Sequence, residues 1–305
     1  MKSYTLDTYT AESSCVCVLG CFDGVHAGHS ALINHAKEVS QKLSLPTLIW
    51  SFSEPPKNFF AKNSVALLTS PIEKRLQMSK LKADIFINVP FDANIASISA
   101  EDFFSEILLK KIKTAHIVCG FNYCFGKGGK GNTALLSKLC KANGIGLSVI
   151  PPVTIGDISV SSSEIRAALD NGDLKKANIL LGRPYSLRAK VIDGQHLGRK
   201  LGFPTINQAF PDRKLILKNG VYITRIHFGK TKRYGITNVG LRPTVNGQGL
   251  YAETHIFNFN GDLYGKVATI EFLEFIRPEK KFSSVDELTK QIQLDISYAK
   301  KQTVQ

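Results

Sequence analysis

The segment that most constrains the fold is an apolar run followed at once by a turn rich in glycine and histidine. Cys15–Leu19 is apolar throughout, residues 20–29 have the sequence GCFDGVHAGH, and apolar residues then recur three or four apart from Ala31 to Val39. A short apolar run is typical of a buried strand, and the longer period is typical of a helix. The sequence therefore predicts a strand, a tight turn and a helix, the repeating unit of parallel α/β sheets.

The histidines of this turn predict a phosphate site. His26 and His29 are three residues apart where the helix begins, so we expect them on one face, roughly 5–6 Å apart. Unpaired N–H groups at a helix start attract anions, and Gly24 and Gly28 allow the backbone to approach a ligand closely. A turn with two surface histidines is the alternative. The combination of features favours a site for a nucleoside triphosphate.

Length and composition predict a folded protein of two domains. The chain has 305 residues, of which 43% are hydrophobic and 21% charged, which is ordinary for globular proteins and long for one domain. No apolar run approaches the ~20 residues of a membrane span. The amino terminus is too polar for a signal peptide, so we expect a cytoplasmic protein.

The cysteines favour strand packing over a disulfide framework or a metal site. Six are scattered at 15, 17, 21, 119, 124 and 140, and a cytoplasmic chain keeps them reduced. Cys17, Cys21, His26 and His29 have a spacing found in zinc sites. Because Cys17 alternates with valines in the predicted strand, it would point away from the turn, and we do not favour zinc.

A net charge of +14, from 39 basic and 25 acidic residues, indicates anionic partners or a solvated surface. Nucleic-acid binding is one interpretation of such a charge. The charge is spread along the chain, without an aromatic RNA-binding signature or a zinc finger. We favour solubility together with attraction of phosphates, so we expect small-molecule substrates rather than nucleic acid or a membrane.

Strands and helices alternate through the first half of the chain, which predicts a parallel sheet covered on both faces. Ligands of such sheets bind at the carboxyl ends of the strands, where residues 20–29 lie. The predicted strands are 15–20, 47–52, 84–88, 115–120 and 146–150, and the predicted helices are 29–44, 71–81, 101–111 (capped by Ser99) and 133–143.

The pattern changes near Gly172–Pro184, after two short helices predicted at 163–169 and 174–181. Strands predicted at 185–192, 220–228, 234–239, 251–257 and 266–275 are separated by turn residues. Asn260-Gly261-Asp262 predicts a hairpin. A final helix over 284–300 places Val285, Leu288, Ile292 and Ile296 on one face. We predict domains 1–182 and 183–305, the second a small antiparallel barrel closed by a helix.

Two further stretches in the first half each have two possible roles. The Gly-rich loop 120–132, with two lysines, follows a strand and opens a helix. It would either cover phosphates or form an exposed linker. In Ser161-Ser162-Ser163-Glu164-Ile165-Arg166, the spacing of Ser161 and Glu164 predicts a capping box, and capping is favoured there over phosphate contacts with Arg166.

The second half has two stretches that could carry chemistry. Thr205 and Asn207 are two residues apart on extended backbone, so their oxygens share a face and suit Mg²⁺, although a turn-rich loop is the safer interpretation. Glu253 and His255 share a strand face. Glu253 is either a general base for a hydroxyl or a rim charge paired with a lysine.

These stretches together resemble the bacterial bifunctional riboflavin kinase/FAD synthetase family over nearly the whole chain. In the first half the matching motifs are residues 20–29, 120–131 and 161–166. In the second half they are Gly182-Arg183-Pro184-Tyr185 and the segments 202–207, 219–222, 238–244, 253–256 and 263–266.

The resemblance implies a Rossmann-like nucleotidyltransferase domain and an antiparallel β-barrel riboflavin kinase domain. The second would phosphorylate riboflavin to FMN, and the first would transfer AMP from ATP to FMN, giving FAD and pyrophosphate. It implies that His26 and His29 stabilise the adenylyl transition state, and that Glu253 takes the proton of the ribityl hydroxyl. Thr205 and Asn207 would organise Mg²⁺ and ATP.

The remaining predicted site residues fall into two groups on the same resemblance. Those predicted to bind ATP or its phosphates are Gly20, Phe22, Asp23, Gly24, Gly28, Ser161, Ser162, Arg166, Gly202, Pro204 and Thr205. Those predicted to contact flavin are Asn122, Phe125 and Arg277.

Four departures from the family pattern lie in the first half. The family usually has acids at the positions of Asn122 and Asn132, a basic residue at Glu164 and a proline at Glu54. The alternatives are a kinase with a weakened adenylyltransferase half, an adenylyltransferase for another small phosphate, and a regulator that senses flavin nucleotides and binds nucleic acid. We expect a monomer or a weak homo-oligomer.

Overall fold

The computed structural model describes residues 1–60, 65–194, 197–244 and 247–303. They form two compact units, Met1–Ser162 and Ser163–Gln305. The boundary predicted at 182/183 stays a prediction. Within the described ranges, no helix is both long enough and apolar enough to cross a lipid bilayer.

The first unit contains the predicted parallel sheet. Its strands are β1 (Lys2–Tyr4), β2 (Cys15–Leu19), β3 (Thr47–Phe52), β4 (Ile85–Val89), β5 (Thr114–Gly120) and β6 (Gly146–Ile150). They are ordered β1-β4-β3-β2-β5-β6, and a short antiparallel pair follows, β7 (Thr154–Ile155) with β8 (Ile158–Ser159). The sequence analysis missed β1, because three partly polar residues at a sheet edge carry no periodicity.

The central strand β2 is buried on both faces. Its valines pack in one core cluster, and its cysteines and Leu19 pack in the other. Burial raises the pKa of the Cys17 thiol well above its usual value, so this sulfur is a core atom. The sequence prediction of strand packing is confirmed.

Helices cover the two faces of this sheet. They are α1 (Ala27–Leu43), α2 (Lys57–Phe60), α3 (Pro71–Lys80), α4 (Ala93–Ser97), α5 (Ala100–Asp102) and α6 (Thr133–Ala142). Ser99 caps α5 as predicted, accepting from the Asp102 amide at 2.9 Å. Phe103–Lys111 continues as a π-helix. The sequence could not distinguish this wider turn, although the buried Phe103, Phe104 and Leu108 suit its longer repeat.

His116 on β5 makes the stability of the first unit depend on pH. Its Nε2 lies 2.9 Å from Ser148 Oγ, and a Cβ at Gly146 would lie 2.1 Å from its Nδ1. Burial, and then His35, lower the His116 pKa from 6.5. The folded state therefore favours the neutral ring, and below pH 6.5 the unfolded chain binds the proton more readily.

We expect the urea midpoint of the first unit to fall as pH is lowered from about 7 to about 5.5, because His116 titrates below its unfolded pKa. Since other groups also titrate, the measurement is the difference between the chain and His116→Asn at each pH. The variant should show a flatter dependence. Equal slopes for the two proteins would contradict the assignment to His116.

The second unit begins within α7 (Ser162–Asp170) and continues with α8 (Leu174–Leu181), α9 (Leu197–Lys200) and α10 (Val285–Thr303). Its strands are β9 (Tyr185–Lys190), β10 (Thr205–Ala209), β11 (Gly220–Phe228), β12 (Thr231–Thr244), β13 (Gly247–Ile256) and β14 (Val267–Arg277). They form an antiparallel sheet ordered β10-β13-β12-β11-β14-β9.

The two edge strands of this sheet approach each other, which confirms the predicted barrel. Ile192 and Asn207 form an isolated antiparallel bridge. The buried Gln208 on β10 donates from Nε2 to the carbonyl oxygens of Ala189 at 2.6 Å and Ala268 at 3.0 Å. The side-chain amide therefore supplies hydrogen bonds where backbone pairing between the edges is short.

Two sequence predictions for this unit were wrong. Asn260–Asp262 does not join a hairpin, because β13 pairs with β10 and β12 while β14 pairs with β11 and β9. Asp262 instead accepts from the Tyr264 amide at 2.8 Å. Thr205 begins a strand and not a loop. The predicted final helix is confirmed as α10; Val285 in its first turn is 59% exposed, whereas Ile296 is buried.

Candidate active sites

The chain leaves β2 through a turn with left-handed backbone. Phe22, Gly24 and Val25 have φ angles of 55°, 85° and 42°. The buried Phe22 ring lies over Gly20, where a Cβ would come within 2.8 Å of it. A side chain at position 20 would therefore displace the ring that shapes the turn.

His26 and His29 stack on each other at the start of α1. Their ring centroids are 3.5 Å apart with an interplanar angle of 17°, closer than the sequence analysis expected, because the rings lie face to face. A Cβ at Gly28 would lie 3.2 Å from the His26 ring. A larger residue at position 28 would therefore crowd the stacked pair.

Backbone hydrogen bonds fix which ring nitrogen carries the proton. His26 Nδ1 accepts from the His29 amide, and His29 Nδ1 accepts from the His26 amide, both at 3.3 Å. An accepting nitrogen carries no hydrogen, so each neutral ring has its proton on Nε2. The pair therefore caps the start of α1, and its two Nε2–H groups are donors suited to phosphate oxygens.

Asp23 connects the turn to the segment before α3. Its carboxylate accepts from the Leu68 and Thr69 amides at 3.1 and 3.2 Å, and its carbonyl oxygen accepts from Ser162 Oγ at 2.9 Å. Only 5% of Asp23 is exposed. These contacts give Asp23 and Ser162 a role in shaping the turn, and their contacts with ATP stay predictions.

The loop 120–132 folds back on itself through a bridge between Phe125 and Gly131. Phe125 is 6% exposed and lies in the core beside Tyr123 and Phe103, whereas Asn122 is exposed. The sequence left two roles open for this loop, covering phosphates or forming an exposed linker. Neither role explains why Phe125 packs in the core. The flavin contacts of Phe125 and Asn122 stay predictions.

At the start of α7, Ser161 and Ser162 are partly buried and Arg166 follows one turn later. Glu164 accepts from Lys176 on α8 at 3.3 Å. The capping box of Ser161 with Glu164 and the phosphate contact of Arg166 stay predictions.

In the second unit, strand register places Glu253 between two asparagines. It lies opposite Asn207 of β10 and opposite Asn238 of β12, and residues directly opposite in antiparallel strands share a face. Thr205 lies opposite His255 on the same face. Pairing therefore assembles Thr205, Asn207 and Glu253, which the sequence identified in separate motifs.

This face opens onto a cavity of about 370 Å³, here called the Glu253 pocket. Its lining combines polar and charged side chains with apolar ones, as a ligand with a ring and a hydroxylated chain requires. Its lining residues are Gly198, Leu201, Phe203, Thr205, Val221, Ile236, Asn238, Glu253, His255, Arg277, Glu279, Lys280, Phe282, Leu288, Ile292 and Asp295.

The loop before β10 is held by its own backbone. The Phe203 amide donates to the Gly198 carbonyl at 2.7 Å, and Gly202 has a φ of 85°. Gly202 and Pro204 are exposed. Their contacts with ATP stay predictions.

Arg277 lines the Glu253 pocket while paired with α10. Its Nη2 lies 2.7 Å from Asp295 Oδ2, and Asp295 is 3% exposed. Gln291 donates to the same carboxylate at 2.9 Å. This buried pair holds α10 on the sheet, and the contact of Arg277 with flavin stays a prediction.

Two family models divide the chain between them. The model described as FAD synthetase matches residues 8–164, and the model described as riboflavin kinase matches residues 181–303. The chain belongs to the bifunctional riboflavin kinase/FMN adenylyltransferase family. The resemblance seen in the sequence motifs is thereby confirmed.

Relatives from distant bacteria match nearly the full length. The bifunctional riboflavin kinase/FMN adenylyltransferase of Haemophilus influenzae is 34% identical over 94% of this chain and 93% of its own. That of Bacillus subtilis is 32% identical over 93% and 91%. A crystal structure named as a macrolide-efflux protein from Streptococcus pneumoniae has a TM-score of 0.88 at 30% identity, over 98% of this chain and 99% of that chain.

One departure from the family pattern keeps a structural role. Asn132 caps α6, accepting from the Leu135 amide at 3.0 Å. Asparagine and aspartate are equally good capping residues. Asn132 therefore caps the helix without a charged side chain.

Lys74, a buried lysine beside the histidine turn, was not among the predicted site residues. Lys74 is 4% exposed, and its Nζ donates to the carbonyl oxygens of Cys21 at 2.5 Å and Phe52 at 2.6 Å. Its position in a polar stretch of α3 gave no sequence signal, because the stretch predicted only an amphipathic helix.

An aromatic cluster at the end of β3 was also missed. Phe52, Phe59 and Phe60 each pack against Phe91, with ring centroids 5.1 to 5.8 Å apart. Phe59 and Phe60 are 47% and 65% exposed. The sequence signal for this cluster was the pair Phe59-Phe60 shortly after Pro55-Pro56.

His255 connects the kinase strand to the loop before β10. The Pro204 carbonyl lies 3.0 Å from His255 Nδ1 and can only accept, so this nitrogen carries the proton. Burial lowers the pKa of His255, with Lys300 acting in the same direction and the Pro204 hydrogen bond opposing both. His255 is therefore a neutral ring that positions the residue directly before Thr205.

We expect His255→Ala to raise KM for ATP in riboflavin phosphorylation by about fivefold, the equivalent of one hydrogen bond of about 1 kcal/mol. FAD formation from FMN should not change. His227→Ala is the matched control, because His227 contacts Glu271 at 2.9 Å and does not line the Glu253 pocket. An unchanged KM in His255→Ala would show that the Pro204 contact has no bearing on ATP.

Proposed function

We propose that the second unit phosphorylates riboflavin to FMN and that the first unit transfers AMP from ATP to FMN, giving FAD and pyrophosphate. The observation that carries the kinase assignment is Glu253 facing the pocket between Asn207 and Asn238. The observation that carries the transferase assignment is the stacked pair of Nε2–H donors at the start of α1.

In phosphorylation, Glu253 takes the proton from the primary hydroxyl of the ribityl chain. The hydroxyl oxygen forms a bond to the γ-phosphorus, the bond to the β-phosphate oxygen breaks, and ADP leaves. Glu253 lies within reach of a ligand in the pocket that it lines, as a general base requires. Positioning and charge neutralisation contribute most of the catalysis of such transfers.

Thr205 and Asn207 suit Mg²⁺, because a hydroxyl and an amide on one strand face offer hard oxygen donors. Asn207 is 4% exposed and directly opposite Glu253, so its amide is held in place by the strands. The ion would neutralise phosphate charge when bound. The protein's own part is to fix these oxygens beside the attacking hydroxyl.

In adenylyl transfer, a phosphate oxygen of FMN forms a bond to the α-phosphorus of ATP while the bond to the β-phosphate oxygen breaks. Negative charge grows on the departing pyrophosphate. The Nε2–H groups of His26 and His29 donate to it, and donors held in place before the reaction require no reorganisation. Gly20, Phe22, Asp23, Gly24, Gly28, Ser161, Ser162 and Arg166 complete the proposed ATP site, and Asn122 and Phe125 the flavin site.

Incubation of the purified chain with riboflavin, ATP and Mg²⁺, followed by chromatography of the flavins, tests both reactions. We expect FMN and FAD. Formation of neither product would overturn the proposal.

A kinase with a weakened transferase half is the second candidate. It is favoured by the neutral Asn122 and Asn132, where the family usually has acids, and by Glu164, whose carboxylate pairs with Lys176. FMN without FAD in the same assay would select it. For either function we propose a cytoplasmic location, where ATP is abundant and the free cysteines stay reduced.

A further inference from the structure

Lys74 is a buried ammonium group placed between two segments of the transferase unit. One bond goes to the Cys21 carbonyl in the histidine turn, and the other goes to the Phe52 carbonyl at the end of β3. Phe52 leads into the aromatic cluster with Phe91. One side chain therefore spans the phosphate turn and the segment that carries the exposed aromatic rings.

The helix that carries Lys74 is itself held against the turn. Ser70 and Glu73 form a capping box at its start, and Asp23 accepts from the Leu68 and Thr69 amides just before it. Lys74 therefore extends from a helix terminus that is held in place. Because its Nζ bonds to the carbonyl oxygens of both Cys21 and Phe52, it sets the distance between them.

Burying the Lys74 ammonium group between these two segments costs desolvation free energy. Burial lowers the pKa of Lys74, while the Cys21 thiol and the Asp23 carboxylate act in the opposite direction. An apolar side chain of similar volume avoids the desolvation cost. Ser51 Oγ also lies 2.9 Å from the Cys21 carbonyl oxygen and 3.2 Å from the Phe52 carbonyl oxygen, but a hydroxyl has a single proton and donates to one of them at a time. Lys74 is therefore the group that donates to both carbonyls at once.

We propose that Lys74 is a positioning residue for adenylyl transfer, which fixes the distance between the histidine turn and the aromatic segment that follows β3. This inference rests on the proposed transferase activity. It predicts a loss in the alignment of two bound substrates and not in the binding of either one. Misplacement of reacting groups by about 1 Å costs about 100-fold in rate.

The test compares Lys74→Met, Lys74→Gln and Lys74→Arg in steady-state FAD formation from FMN and ATP. We expect Lys74→Met to lower kcat about 100-fold with both KM values within about threefold. Lys74→Arg, which keeps a charge and several donors, should recover to within about tenfold of the unmodified chain. Lys80→Met is the matched control, an exposed lysine on the last turn of the same helix, and should leave kcat unchanged.

Riboflavin phosphorylation by the same preparations reports the amount of folded second unit, and KM values near those of the unmodified chain report that the first unit keeps its binding sites. If Lys74→Met does not fold, the kcat values of Lys74→Gln and Lys74→Arg are compared instead. Glutamine keeps hydrogen-bond donors but lacks the length and the charge of lysine, so Lys74→Gln should have the lower kcat. Full kcat in Lys74→Met or Lys74→Gln, or a rise in KM that accounts for the whole loss, would overturn the positioning role while leaving the transferase activity intact. Absence of FAD with the unmodified chain would overturn both.

Discussion

Glu253→Gln should lower kcat for FMN formation about 10³-fold, within the range of about 10²–10⁴-fold for loss of a general base. Glutamine keeps the shape of the side chain and can still accept a hydrogen bond, but it cannot take the hydroxyl proton. Asn207 and Asn238 lie opposite Glu253 on the adjacent strands, and neither amide can take the proton in its place. Glu279, which lines the same pocket, accepts a hydrogen bond from Asn238 at 3.1 Å. The measurement is single-turnover FMN formation at saturating riboflavin and ATP.

The matched control is Glu274→Gln on β14. Glu274 accepts from the Tyr298 hydroxyl at 2.6 Å and does not line the Glu253 pocket, so FMN formation should stay unchanged. Both variants should give FAD when FMN is supplied. Near-normal FMN formation by Glu253→Gln would remove Glu253 from its proposed role.

His29→Ala should lower FAD formation about 10³-fold while FMN formation continues, because donors at a developing charge contribute about 10²–10³-fold each. The substitution removes the Nε2–H donor and the stacking partner of His26. It also removes the acceptor of the His26 amide. The measurement is the ratio of FAD to FMN with time.

His29→Gln separates the imidazole from the helix cap. His29 is the third residue of α1 and accepts from the His26 amide, a contact that glutamine also makes from this position, so the terminus should keep its stability without an imidazole N–H. We expect His29→Gln to be nearly as inactive as His29→Ala in FAD formation and to unfold at a higher temperature. Recovery of activity in His29→Gln would assign His29 a capping role alone.

The sequence predicted the first unit well because its signals are local. Cys15–Leu19, the glycines after it and the periodic helix each specify their own conformation, and the parallel sheet was confirmed strand by strand apart from β1. The His26–His29 pair is equally local, since two residues three positions apart at the start of a helix lie on the same face. Asn260–Asp262 failed for the opposite reason: a turn signal does not determine which strands it connects.

The amino-acid sequence alone determined the family, the two fold classes and the separate motifs, because these depend on residue types at short spacings. Only the tertiary structure decided which residues meet. Strand register placed Glu253 beside Asn207 and Asn238, and the packing of α3 brought Lys74 to the carbonyls of Cys21 and Phe52. Such contacts join residues 15 to 53 positions apart along the chain, and their energy arises only once the sheet and helix have closed around them.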